Sequence, residues 1–224
     1  MRFLSILVFM LSVHSLAQVR IMMIDAGTPD RSVYPTEGRN FNVGPPHYHG
    51  TAMYQFLTMG PSASSSKYNC SFTVDTCSFT DNVGSNVSSK YYSCLEKAAE
   101  GNYDIVNMSL SGSSFDIIEM FLIMNIKKSK IVVAAGNAGL PSRGYPAQFD
   151  SVNKGIIPIS ALDVDGKRPS YSNYDNKTID FLGEGYYIDK DGESKRLEGT
   201  SVAAALYSNK LLREMCSAKY YRRF

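Results

Sequence analysis

A chain of 224 residues, 44% of them hydrophobic and 20% charged, can bury a substantial core and is short enough to do so as a single domain. The formal charge of +2 comes from dispersed Lys and Arg, gathered only in the tail at Lys219, Arg222 and Arg223, so no nucleic-acid-binding face is indicated. Beyond the N-terminus no stretch is apolar and long enough for a membrane span, the best one, 115–126, being broken by Asp116, Glu119 and Asn125.

Residues 1–17 combine an early Arg2, an apolar stretch over 3–11 and the small residues Ser15 and Ala17 around Leu16. This is the pattern of a signal peptide cut after Ala17, leaving a mature domain over 18–224 that is secreted or periplasmic. The alternative is a buried N-terminal helix or strand, since the apolar run falls short of the about 20 residues that cross a bilayer. From there, short apolar runs recur at 21–24, 105–110, 131–135, 156–160 and 179–182. Continuous rather than alternating hydrophobicity predicts strands buried on both faces.

Between the runs lie helical patterns. A short helix is expected over 52–57. Residues 88–100 open on Ser88, place Tyr91, Tyr92, Leu95, Ala98 and Ala99 at helical spacing and stop at Gly101. Residues 115–128 repeat the design and end in Lys127 and Lys128, where positive charge would complement the helix dipole. The Ser-rich 62–66 and the Asn/Ser/Gly-rich 80–89 read as loops. Alternating strands and helices imply right-handed crossovers and an α/β fold, a doubly wound, mostly parallel sheet with helices on both faces.

Four cysteines, Cys70, Cys77, Cys94 and Cys216, suit an oxidising compartment and allow three pairings, Cys70 with Cys94 being one candidate bridge. They lack the close Cys or His spacing of a zinc site, so no metal is assigned. Asn-x-Ser/Thr triplets at Asn69, Asn86, Asn107 and Asn176 read as chance matches.

In open α/β sheets ligands gather at the carboxyl ends of the strands, so polar residues directly after apolar runs are examined first. Asp25 ends the run 21–24 and precedes Ala26-Gly27, while Asn137 follows the run 131–135 after Gly136. His49 stands before the short helix, in His47-Tyr48-His49-Gly50-Thr51. Ser201 follows Glu198-Gly199-Thr200 at the head of an Ala-rich helix, where its backbone N–H and the helix dipole could stabilise an oxyanion. Taken singly, each has a plainer reading as a turn former, loop residue or helix cap. His47 reads as a loop residue.

Together these segments resemble the subtilisin-like serine proteases, the subtilases, over about residues 19–212. IMMIDAG (21–27), HGTAM (49–53), AAGNAG (134–139) and EGTSVAAA (198–205) are similar to that family's aspartate, histidine, oxyanion-asparagine and serine motifs, in its chain order. The resemblance implies a serine endopeptidase in which Ser201 attacks, His49 carries the proton, Asp25 orients the imidazole and Asn137 donates to the oxyanion. It further assigns Ser109, Leu110 and Ser111 to an edge pairing with an extended polypeptide substrate, and Ala134, Ala135 and Gly136 to a wall of the primary pocket. Small walls without a carboxylate point to an apolar or uncharged side chain there. No cofactor is implied, and no ligands for the family's calcium sites can be matched.

The chain also departs from the family. Ala52 stands where a second His is usual, Ala205 where Pro is usual, and Gly183-Glu184-Gly185 where Ala-Pro-Gly is usual. Only a few residues separate the expected cleavage point from Asp25, too few for a folding propeptide, and little follows the serine helix. Such a trimmed form leaves room for a covering partner or inhibitor. It also keeps a second class open, a catalytically weak relative that binds peptides or a partner in the same groove.

Overall fold

The computed structural model describes residues 18–30, 38–42, 46–59, 71–81 and 85–221, with side chains to 217. The proposed signal sequence, the Ser-rich 62–66, Cys70 and the tail Arg222 and Arg223 lie outside the described residues. Seven strands, β1 (Gln18–Asp25), β2 (Asn40–Phe41), β3 (Ser71–Ser78), β4 (Ile105–Met108), β5 (Lys130–Ala134), β6 (Ile156–Leu162) and β7 (Ile179–Leu182), form one sheet in the order β2-β3-β1-β4-β5-β6-β7. Every pair in it is parallel. An antiparallel hairpin, β8 (Glu184–Ile188) with β9 (Ser194–Glu198), stands apart from it. The helices are α1 (Tyr48–Thr58), α2 (Ser88–Glu100), α3 (Ile117–Met124) and α4 (Thr200–Tyr221). No described helix is long and apolar enough to cross a membrane.

Strand side chains alternate between faces, and here both faces are covered, which is why the strands read as unbroken apolar runs. On β1, Val19, Ile21 and Met23 enter a core built with α1 and α4, while Met22 and Ile24 enter a second core built with α2. Each such fully buried side chain contributes roughly 1.5–3 kcal/mol. β7 departs from the expectation of two-sided burial: it is the sheet edge, and Ile179 and Leu182 are exposed.

Helix boundaries differ from the sequence pattern for local reasons. α3 is shorter than expected because Asp116 caps its start, its carboxylate accepting from the Ile118 and Glu119 N–H groups. Its end tightens at Asn125 and Ile126, leaving Lys127 and Lys128 outside the helix and its last turn without a basic residue. α2 begins after Val87 with no side-chain cap, so Ser88 is not the cap its position suggested. Gly101 ends α2 at φ −79, where any residue is allowed; glycine is required there because a Cβ would strike the Tyr103 ring.

Cys94 on α2 is bonded to Cys77 on β3, not to Cys70. Both are buried where α2 packs on the sheet, with Cα atoms 5.6 Å apart. Cys216 on α4 is also disulfide-bonded. Closing a loop of 17 residues restricts the unfolded chain, so Cys77→Ala/Cys94→Ala is expected to lose roughly 3 kcal/mol. The loss is read as a lower urea midpoint, with an m-value that rises as the uncrosslinked unfolded chain exposes more surface, and equal midpoints for mutant and wild type would contradict it.

Candidate active site

The sheet brings the ends of β1, β4 and β5 to one level, with Ile24 beside Met108 and Met108 beside Val133. Asp25, Ser109 and Asn137 therefore emerge at the same carboxyl edge. The chain leaves β1 to build β2 and β3 on one side and returns as β4 on the other, and such a reversal opens a crevice at the strand ends.

His49 reaches that crevice from the first turn of α1. The helix starts at Tyr48, four residues earlier than expected, so His49 lies within it, and His47 is its cap: the His47 Nδ1 accepts from the His49 N–H at 3.2 Å. Gly50 lets the turn approach β1, since a Cβ there would lie 2.9 Å from the Gly27 carbonyl oxygen. The His49 Nδ1 is 2.6 Å from Asp25 Oδ1. A carboxylate can only accept, so Nδ1 carries the proton and Nε2 is left with a lone pair. Asp25 is buried, and its Oδ2 has no hydrogen-bond partner among the described residues. Burial pushes the His49 pKa down, but the charge and hydrogen bond of Asp25 outweigh it and raise the value above 6.5. His47 moves the other way, lowered by burial and then by His49.

Ser201 sits in the first turn of α4, behind a turn that only glycine can make. Gly199 has φ +145, and its N–H donates to the Gly183 carbonyl, while the Gly183 N–H donates to Leu162 on β6. A Cβ on Gly183 would meet the Ala161 Cβ at 2.4 Å, so the departure at 183–185 ties the serine turn directly to the sheet. The Ser201 hydroxyl donates to the Ser109 carbonyl at 2.9 Å. One residue before it, Thr200 donates twice to Asn137 Oδ1, from its N–H and its hydroxyl, each at 2.9 Å. With Oδ1 so held, the Asn137 Nδ2 is presented beside Gly199, 3.1 Å from where a Cβ would sit.

A cavity of about 540 Å³ opens next to Ser201 and Asn137. Of the three residues expected to wall it, only Gly136 does; the Ala134 and Ala135 side chains are buried, and Ala135 instead supplies a carbonyl to Gly144 N–H and Asn173 Nδ2. Gly136 has φ +111, and a Cβ there would meet Asn173 Nδ2 at 2.6 Å. Ser111 lines the cavity; Leu110 faces a different one, and Ser109 is buried. Among the described residues no carboxylate lines the cavity, and the one cationic side chain that does, Arg143, is ion-paired with Asp150 and Asp175.

The subtilase family model matches residues 30–215. The chain belongs to the subtilase family. The match takes in His49, Asn137 and Ser201 and starts five residues after Asp25, whose position relative to His49 comes from the structure. The chain is 28% identical to halolysin of Haloferax mediterranei, over 86% of this chain and 40% of halolysin. It is 28% identical to subtilisin amylosacchariticus of Bacillus subtilis subsp. amylosacchariticus, over 84% of this chain and 52% of that protein. It thus spans about half or less of these curated relatives. The self-cleaved protease domain of PatA superposes with a TM-score of 0.73 at 19% identity, covering 91% of this chain and 82% of that one.

Several residues that support this candidate site were given no role of their own in the sequence. Thr200 orients Asn137, and Asn209 on α4 donates to the Leu57 and Met59 carbonyls, closing the end of the His49 helix. Gln55 on α1 exchanges two hydrogen bonds with the Ile188 backbone, at 2.7 and 2.8 Å, locking the same helix to the hairpin. Among the described residues no group of three His, Cys, Asp or Glu side chains could hold a metal ion.

Proposed function

We propose that this chain is a serine endopeptidase that hydrolyses polypeptides through an acyl-enzyme, with Ser201 as nucleophile and His49 as general base and acid. The observation that carries the reading is the Asp25–His49 contact of 2.6 Å, with the Ser201 hydroxyl held on the Ser109 carbonyl just past the neighbouring strand end. Neutral serine is a weak nucleophile, so the hydroxyl must leave the Ser109 carbonyl and pass its proton to His49 Nε2 as it attacks. Asp25 keeps the imidazole in the tautomer with Nε2 free and stabilises the imidazolium. Asn137 Nδ2 and the Ser201 N–H are assigned to the oxyanion. When the amine leaves, His49 returns the proton, and water then cleaves the ester with the same base.

The substrate in this reading is an extended polypeptide. The Leu110 and Ser111 backbone groups make no hydrogen bond among the described residues, whereas Gly112 is already paired both ways with Tyr145. That free stretch beside the large cavity supports strand-like pairing with a substrate, whose side chain would enter a pocket lined by no carboxylate among the described residues. Export through the N-terminal segment belongs to the same proposal, and the Cys77–Cys94 bond fits an oxidising compartment.

The other reading is a peptide-binding relative with a dormant serine, and the hydrogen bond holding the Ser201 hydroxyl to Ser109 favours it. Treatment of the purified protein with a fluorophosphonate separates the two. An activated serine forms a stable adduct; a dormant one leaves the mass unchanged.

A further inference from the structure

A histidine is an unusual helix cap, because the nitrogen that accepts the hydrogen bond can itself take up a proton near neutral pH. His47 caps α1 in this way, its Nδ1 accepting from the His49 N–H at 3.2 Å. Its backbone is fixed on both sides, the N–H donating to the Thr28 carbonyl and the carbonyl accepting from the Thr51 N–H. An imidazole nitrogen accepts only through its lone pair, so the cap requires the neutral ring with its proton on Nε2. A proton on Nδ1 would set one N–H against another. It would also place a positive charge two residues from His49, the imidazole that becomes cationic during attack in the reading above.

The surroundings keep the His47 ring neutral near pH 7. The residue is half-buried, with its ring centroid 4.6 Å from that of Tyr48. Burial, and then the nearness of His49, lower its pKa below 6.5, with Asp25 opposing them. The remaining ionisable groups around it line the same cavity of about 510 Å³: Asp30 beyond β1, and Tyr187, Asp189, Lys190, Asp191, Lys195 and Arg196 of the hairpin. The hairpin charges largely neutralise one another, Lys190 pairing with Asp191, Lys195 with Asp189 and Glu193, and Arg196 with Glu184 and Glu198.

We infer that His47 is a positioning residue for the proposed reaction, one that holds the His49 turn in its working place only while the His47 ring is uncharged. Two protons then silence the site in acid, one on the base and one on the cap of the helix that carries it. The inference rests on the peptidase reading above, and the test separates the two.

The experiment is the pH dependence of kcat/KM for one peptide, from pH 8 to 4, in the wild type, His47→Asn and His47→Ala. A single controlling proton lowers kcat/KM about tenfold per pH unit. The wild type should fall at that rate where His49, with its raised pKa, takes up its proton, and more steeply below that, where His47 follows. His47→Asn supplies a cap oxygen that does not titrate, so it should restore the activity lost in His47→Ala at pH 8 and never show the steeper fall. His47→Ala leaves the turn uncapped and should lower kcat by about fivefold at pH 8 with KM little changed. A cap with a purely structural role would make His47 and its Asn replacement alike at every pH. A wild-type fall that stays at tenfold per unit, a steeper fall that persists in His47→Asn, or full activity in His47→Ala would each overturn the inference. If the wild type cleaves no peptide, or unfolds before the fall is complete, NMR follows the His49 backbone amide with pH instead. Two titration steps in the wild type and one in His47→Asn support the cap, and in the absence of cleavage they do so while rejecting the peptidase reading. One step in both proteins rejects the cap.

Discussion

Ser201→Ala is expected to lower turnover of an unfolded polypeptide by about 10⁶-fold, a magnitude taken from the corresponding series in subtilisin. The substitution removes the nucleophile and leaves only the cavity and oxyanion donors, which still favour attack by water. His49→Ala should cost nearly as much, and the double variant little more, because proton transfer and attack are one event and their losses do not add. The same coupling sets the pH profile. Asp25 holds the His49 pKa above 6.5, and protonated imidazole cannot act as base, so kcat/KM should fall on the acid side with an apparent pKa above that value. Steady-state kinetics of the four proteins measures both effects. Additive losses, or a profile flat from pH 5 to 8, would show that Ser201 and His49 do not work as a unit.

Asn137→Ala is expected to cost about 10²–10³-fold in kcat with little change in KM, again the scale known for subtilisin. Its amide is preset before substrate arrives, because Thr200 holds Oδ1 through two donors and so turns Nδ2 toward the mouth of the serine turn. Only one of the two assigned donors is lost, since the Ser201 N–H remains, which is why the effect falls short of removing the nucleophile. Equal losses in kcat and affinity for the ground-state peptide would instead mark Asn137 as a binding residue.

The layers of the fold were legible because burial leaves a direct mark on composition. β1, β4, β5 and β6 read as continuous apolar runs because alternate residues feed two different cores. β7 gave the same reading for the wrong reason, being apolar in sequence but at an edge. Asp25 and Asn137 were picked out by strand-end positions, and His49 and Ser201 by short motifs, while the sheet register brings the ends of β1, β4 and β5 level.

What stayed hidden depends on groups that meet only after folding. Gln55 and Ile188 are 133 positions apart, and Asn209 and Leu57 are 152 apart, so nothing local foretells their hydrogen bonds. The partner of Cys94 depended on whether β3 or the stretch before it lay under α2, which spacing does not decide. Glu119 looked like one more charge interrupting an apolar stretch; its burial beside Tyr91 follows from α2 and α3 packing against each other. Ala134 and Ala135 were assigned to the pocket wall by likeness alone, whereas the chain turns its backbone into the cavity one residue later, at Gly136.

The most direct measurement on the central claim is where a fluorophosphonate attaches. Only a serine whose proton is taken by a neighbouring base reacts at a useful rate, so the label reports the chemistry rather than the fold. Protein treated at pH 8 and digested should carry a single adduct, on the peptide containing Gly199-Thr200-Ser201, and the adduct should be absent from Ser201→Ala and from His49→Ala. Unlabelled protein that nevertheless binds extended peptides, or an adduct that persists in Ser201→Ala, would contradict the assignment of Ser201 as an activated nucleophile.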